Sequence, residues 1–166
     1  MNNLKDVVIY TDGSSRGNPG PGGYGTIIQF KDDNNVIREK ELSCGYLNTT
    51  NNRMEVMAAI VGLEFLTEPC NVRIVSDSKY LVDTFQKKWI MYWIKNDWKN
   101  WKGQPVKNID LWKRMMVAMT NHNVTFEWVK GHNEHPENER CDKLATSAAD
   151  NPKYEDKKEL DVISHI

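Results

Sequence analysis

Val7-Val8-Ile9-Tyr10-Thr11-Asp12, then Gly13 to Gly23, then Tyr24-Gly25-Thr26-Ile27-Ile28-Gln29-Phe30 is where the architecture can be read. The first run is β-branched and the middle holds five glycines and two prolines. A glycine-rich loop after a strand suggests a dinucleotide fold, but that motif must open a helix whose N-terminus holds a pyrophosphate. Here a second strand-like run follows instead. The pattern therefore predicts an antiparallel pair joined by an extended Gly/Pro turn over 12–23.

On either side of that turn, residues 4–11 read as the first strand and Tyr24 to Phe30 as the second. The polar turn Lys31-Asp32-Asp33-Asn34-Asn35 leads to a third strand, Val36 to Ser43. The period then changes. Val56, Ala59, Ile60, Leu63 and Leu66 recur at helical spacing over 51–66, with Thr50 or Asn51 as cap. Residues 71–76 and 124–129 read as strands, and 78–85, 88–97, 107–121 and 136–149 as helices, the last entered through Pro136. The prediction is an α/β fold, a mixed sheet of five strands that opens as an antiparallel meander, with helical cover.

Composition is that of an ordinary globular domain: 166 residues, 39% hydrophobic, 27% charged, net charge −1. The longest apolar run, Trp89 to Ile94, falls far short of the roughly 20 residues a membrane helix needs. The start lacks the pattern of a signal peptide. Cys44, Cys70 and Cys141 form no CxxC pair, and reduced thiols in a cytoplasmic protein are expected. Between Lys87 and Lys107 six lysines face one acid, Asp97, a local basic patch on a nearly neutral chain.

Four acids are candidates for a shared site: Asp12, Glu55, Asp77 and Asp142. Asp12 and Asp77 end strands expected at the sheet centre, where ligands of open α/β sheets sit. Glu55 falls one turn into its helix and Asp142 early in the last. Each alone reads equally as a cap or a solvated surface acid, and spacing does not force the four together. If they converge, the cluster is costly unless cations fill it, which points to Mg²⁺ and phosphoryl chemistry. Thr49 to Arg53 enters a helix and supplies a cap, with phosphate contact as the further reading. Trp89, Tyr92 and Trp93 share a helical face; core packing and a basic, aromatic-edged projection both fit that spacing. His132, His135, Cys141 and Asp142 match no common zinc spacing, so His132 beside an acidic site is read as a proton-transfer residue.

Several separated motifs, in order, resemble bacterial type 1 ribonucleases H. They are Thr11-Asp12-Gly13-Ser14 with Gly17-Asn18-Pro19-Gly20-Pro21-Gly22-Gly23-Tyr24-Gly25; Thr49 to Glu55; Ser76-Asp77-Ser78-Lys79-Tyr80; and Trp128 to His132 with Pro136 to Asp142. The resemblance implies a ribonuclease H domain over 1–150 with a ribonuclease H-like α/β fold, a mixed five-stranded sheet of three antiparallel and then parallel strands with helices on both faces; residues 151–166 lie outside it and, being highly charged, read as a partly ordered C-terminal tail. It implies an endonuclease that cuts the RNA strand of RNA–DNA hybrids by two-metal-ion hydrolysis, leaving 5′-phosphate and 3′-hydroxyl ends. Carried over by position, Asp12, Glu55, Asp77 and Asp142 would bind two Mg²⁺ ions, with Mn²⁺ able to substitute, and His132 would assist proton movement or product release. Asn18, Asn51 and Asn52 would read the hybrid, and Thr50 would contact a DNA phosphate. Trp89, Trp93, Lys95 and Lys99 would lie in the basic protrusion. The chain departs from the pattern at Lys79, where glutamine is usual, and at Ile94 to Asp97, which is less basic. The resemblance also implies a monomer with no membrane partner. Strand-transfer enzymes of the same fold and a hybrid-binding module without catalysis are the alternatives; the glycine loop and asparagine pair weigh against the first, the four acids against the second.

Overall fold

The computed structural model describes residues 4–131 and 135–157. Five strands form one sheet: β1 (Lys5–Ser15), β2 (Gly20–Lys31), β3 (Ile37–Thr49), β4 (Cys70–Ser76) and β5 (Asn123–Trp128). Their order across the sheet is β3-β2-β1-β4-β5. β1 pairs antiparallel with β2, and β2 with β3, while β4 runs parallel to both β1 and β5. The helices are α1 (Asn51–Phe65), α2 (Lys79–Gln86), α3 (Trp89–Lys95), α4 (Ile109–Met119) and α5 (Pro136–Asp150).

The hairpin corrects the sequence reading. Segment 12–23 is not an extended turn. β1 continues to Ser15 and β2 begins at Gly20, with Asp12 opposite Gly25, Gly13 opposite Tyr24 and Ser15 opposite Gly22. β3 likewise runs to Thr49 rather than stopping at Ser43. The glycines serve packing as well as turning. A β-carbon on Gly25 would sit 2.7 Å from the Leu144 Cβ of α5, so its absence lets that helix lie on the ribbon. Glycine weakens a strand in isolation, and the helices laid across this one offset that weakness.

Helices cover both faces of the sheet. On one face α1 lies across β1 and β2 and is itself backed by α4. It is buried almost all round, with Met54, Val56, Ala58, Ala59, Ile60 and Leu63 at 1% exposure or less, as a helix enclosed by neighbours must be. Trp112 of α4 is fully buried against the rings of Tyr80, Phe85 and Trp93, with centroids 5.3–5.9 Å away. Its indole N–H donates to the Tyr80 hydroxyl at 3.2 Å, so the polar atom is satisfied inside the core. On the other face α5 covers a smaller cluster of Tyr10, Ile27, Val75, Val129 and Cys141. α2 starts at a serine cap, the Ser78 hydroxyl accepting from Leu81 N at 3.1 Å, and stops where Lys88 turns left-handed at φ 60°. α3 therefore stands apart as a separate short helix.

Candidate active site

Strand register builds the site. Thr11 of β1 lies beside Ser76 of β4 in parallel, so the next residues, Asp12 within β1 and Asp77 just past the end of β4, fall side by side. Glu55 arrives from above. It lies in the first turns of α1, and α1 reaches the sheet there because residue 13 is glycine: a β-carbon would fall 2.6 Å from the carbonyl carbon of Met54. One oxygen from each of Asp12, Glu55 and Asp77 then falls within 4.8 Å of the others. Asp142, on α5, is not part of that tight group. Its charge still reaches Asp12 from the rim.

The electrostatics are those of a buried cluster of like charge. Asp12 and Glu55 are 7% and 6% exposed. Burial, then the Asp77 charge, pushes the Asp12 carboxyl up to about 8. Burial followed by the charges of Asp12 and Asp77 raises Glu55 well above the usual carboxylate range. The Gly13 N–H donates to Asp12 Oδ1 at 2.9 Å and fixes its orientation. Glu55 Oε1 is buried with no hydrogen-bond partner among the described residues. A buried, orphaned carboxylate oxygen within reach of two other carboxylates fits a hard divalent cation. Thus Asp12, Glu55 and Asp77 could hold an ion, with Asp142 at the rim.

Around the acids the nearby side chains are held in place. The Trp128 indole donates to the Asp77 carbonyl at 3.1 Å, and the Lys79 ammonium lies 4.8 Å from the centroid of that ring. Gly131 lies against the Asp77 carboxylate, where a β-carbon would stand 2.9 Å from Oδ2. His132 falls outside the described residues. At the start of α1 the Thr50 hydroxyl accepts from Arg53 N at 3.2 Å, so Thr50 is the cap. Asn18 Oδ1 accepts from Asn51 N at 2.9 Å and joins the hairpin tip to the same helix end.

The RNase H family model matches residues 4–150. This chain belongs to the ribonuclease H family. It is 61% identical over 145 residues to the ribonuclease H of Lachnoclostridium phytofermentans, covering 87% of this chain and 92% of the relative. It is 54% identical over 153 residues to the ribonuclease H of Escherichia coli O139:H28, covering 92% and 95%. Among solved structures, LC9-RNase H1, a type 1 RNase H with the type 2 active-site motif, superposes with a TM-score of 0.81 at 29% identity, over 92% of this chain and 76% of that one.

Within this ribonuclease H, the residues expected on the protrusion separate. Trp93 turns inward, its ring 5.9 Å from that of Trp112, while Trp89 stays at the surface with the Lys87 ammonium 5.7 Å from its centroid. Lys95 and Lys99 are exposed beyond it. One group was invisible in the sequence pattern. Arg53 is 4% exposed and meets Asp110 of α4 at 2.7 and 2.9 Å and Asp156 of the C-terminal segment at 2.7 and 3.1 Å. Burial works to lower the Arg53 pKa, and its two carboxylate partners more than reverse that. Burial would likewise raise Asp110, yet the guanidinium beside it holds that carboxyl below the usual range. Nothing in spacing links positions 53, 110 and 156.

Proposed function

We propose that this ribonuclease H cleaves the RNA strand of RNA–DNA hybrids endonucleolytically, using divalent cations held by Asp12, Glu55, Asp77 and Asp142. The observation that carries the metal assignment is the meeting of three carboxylates within 4.8 Å, two of them buried. These four acids would hold a pair of Mg²⁺ ions (or Mn²⁺ in their place), which would supply activation of a water and charge stabilisation of the leaving 3′-oxygen. The expected ends are 5′-phosphate and 3′-hydroxyl.

The chain's own residues do the rest. The Gly13 N–H keeps Asp12 aimed into the site. Ionised acids are required to hold cations, so cation entry displaces the protons that burial favours. The Thr50 hydroxyl oxygen accepts from the Arg53 N–H, which leaves its own hydrogen to donate to a DNA phosphate. Asn18 Oδ1 accepts from the Asn51 backbone N–H, and Asn52 is next in sequence; the Asn18 NH2 and the side-chain amides of Asn51 and Asn52 read 2′-hydroxyls and base edges. Lys79, laid on Trp128 beside Asp77, offers a cation to a substrate phosphate. Trp89, Lys95 and Lys99 form an exposed surface for the DNA backbone, and Trp93 anchors α3, which carries the first two, in the core. His132 assists proton transfer or product release. A cytoplasmic monomer suits this role; no helix among the described residues is long and apolar enough to cross a membrane.

The deciding experiment uses labelled hybrid, duplex DNA and duplex RNA, each with Mg²⁺ and with excess chelator. Cleavage of the RNA strand in the hybrid alone, stopped by chelator, is expected. Full-rate cutting under chelation, or of duplex DNA, would overturn the proposal.

A further inference from the structure

Residues 153–156, just after α5, lie against β3 and the start of α1. Lys153 N and Tyr154 N both donate to the Gly45 carbonyl, at 3.1 and 3.3 Å, and Leu47 N donates to the Tyr154 carbonyl at 2.7 Å. Tyr154 thus pairs in parallel with Tyr46 on the outer edge of β3. Two residues on, the Asp156 side chain is 4% exposed. Its Oδ2 accepts from the Thr49 hydroxyl at 2.5 Å and from Arg53 Nε at 2.7 Å, and its Oδ1 accepts from Arg53 Nη2 at 3.1 Å. Thr49 is the last residue of β3 and Arg53 lies in the first turn of α1. Between them stand only Thr50, Asn51 and Asn52.

We propose that the C-terminal segment is a strap and that Asp156 is a positioning residue for substrate: by gripping Thr49 and Arg53 together it sets where Thr50, Asn51 and Asn52 meet the hybrid. This rests on the substrate reading given above. A buried carboxylate is a poor device for stability alone, because desolvation consumes most of what the ion pair returns. What a doubly hydrogen-bonded guanidinium and a hydroxyl on one carboxylate do secure is direction. Asp110 holds the same guanidinium from α4 but forms no hydrogen bond with Thr49 among the described residues. The two aspartates therefore share a stabilising role, and the grip on both ends of the three-residue segment belongs to Asp156.

The comparison is between wild type, Asp156→Ala, Asp156→Asn and Asp110→Ala, assayed well below the lowest Tm of the set. Readouts are Tm, kcat and KM on a hybrid, and Kd for a non-cleavable hybrid. Asp156→Ala is expected to raise KM and Kd about tenfold, the scale of one displaced charge-assisted hydrogen bond, with kcat within about twofold. Asp156→Asn keeps the shape and is expected to raise KM by about threefold, which keeps the test open if the alanine variant does not fold. Asp110→Ala is expected to lower Tm comparably while KM moves by less than about twofold. A purely structural role would reduce the active fraction, hence kcat, and leave KM alone. Unchanged KM in both Asp156 variants, or equal KM shifts in Asp110→Ala and Asp156→Ala, would overturn the strap while leaving hybrid cleavage by the wild type intact. A wild type that does not cut hybrids would overturn the substrate reading, and the strap with it.

Discussion

Asp12 and Glu55 are charges that this fold accommodates poorly until something positive joins them. For Asp12→Asn or Asp77→Asn we expect cleavage to fall by at least about a thousandfold, since an ion ligand is removed, while the fold persists. Asp12→Asn should also raise the Tm of the metal-free protein near neutral pH by a few degrees, because it removes a carboxyl that must take up a proton to be buried beside other acids. Calorimetry in chelator alongside a hybrid assay checks both, and wild-type turnover in either variant would contradict the metal role. The same raised pKa gives a pH signature. Asp12 has a folded value of about 8 against an ordinary 3.8, so across that window the folded state holds a proton the unfolded chain has released. Stability of the metal-free protein must then fall as pH rises from about 4 to about 8. Groups held low, such as Asp32 and Asp110, contribute their stability above the ordinary carboxylate range and do not reverse the trend within it. Thermal scans between about pH 5.5 and pH 8.5 in chelator should show a declining Tm, and Mg²⁺ should flatten the decline. Among single residues, Asp12, Glu55 and Asp77 were legible from their motifs. The Arg53 network was not, because charges distant in sequence find each other only in three dimensions.

Elements show the same division. The positions of strands and helices follow from hydrophobic period, and α1 is capped by Thr50 as its sequence suggests. The length of the β1–β2 ribbon was misjudged because glycine ordinarily signals a turn, whereas Gly13 and Gly25 are small so that α1 and α5 can approach. Gly25→Ala places a β-carbon among Leu144 and Ala145 and should destabilise by about 1–3 kcal/mol, with activity reduced through displacement of the helix that carries Asp142. Denaturant titration with a parallel hybrid assay would check it. The protrusion poses a different question. Spacing alone left Trp89 and Trp93 equivalent; the packing of Trp112 distinguishes them. If Lys95, Lys99 and Lys102 face the DNA backbone, replacing all three by alanine should reduce the slope of log Kd against log salt by about 1 for each phosphate no longer neutralised. An unchanged slope would exclude this surface.

Taken whole, the molecule is a sheet with a heavily covered face under α1 and α4 and a lighter one under α5. The larger core should respond most to truncation. Trp112→Ala, which empties the space shared by Tyr80, Phe85 and Trp93, should cost about 3–5 kcal/mol, measurable by urea unfolding. Period and composition can forecast that such a core exists, but not that a tryptophan at 112 would close it or that Lys153 and Tyr154 would fold back onto β3.

The four acids are drawn from positions spread along the chain from 12 to 142, and the last arrives on a helix from the opposite side of the sheet. During synthesis the first three acids emerge from the ribosome long before α5 does. If Asp142 serves with them, a half-made chain carries no complete cutting site, and the nuclease becomes competent only when translation of its domain is nearly finished.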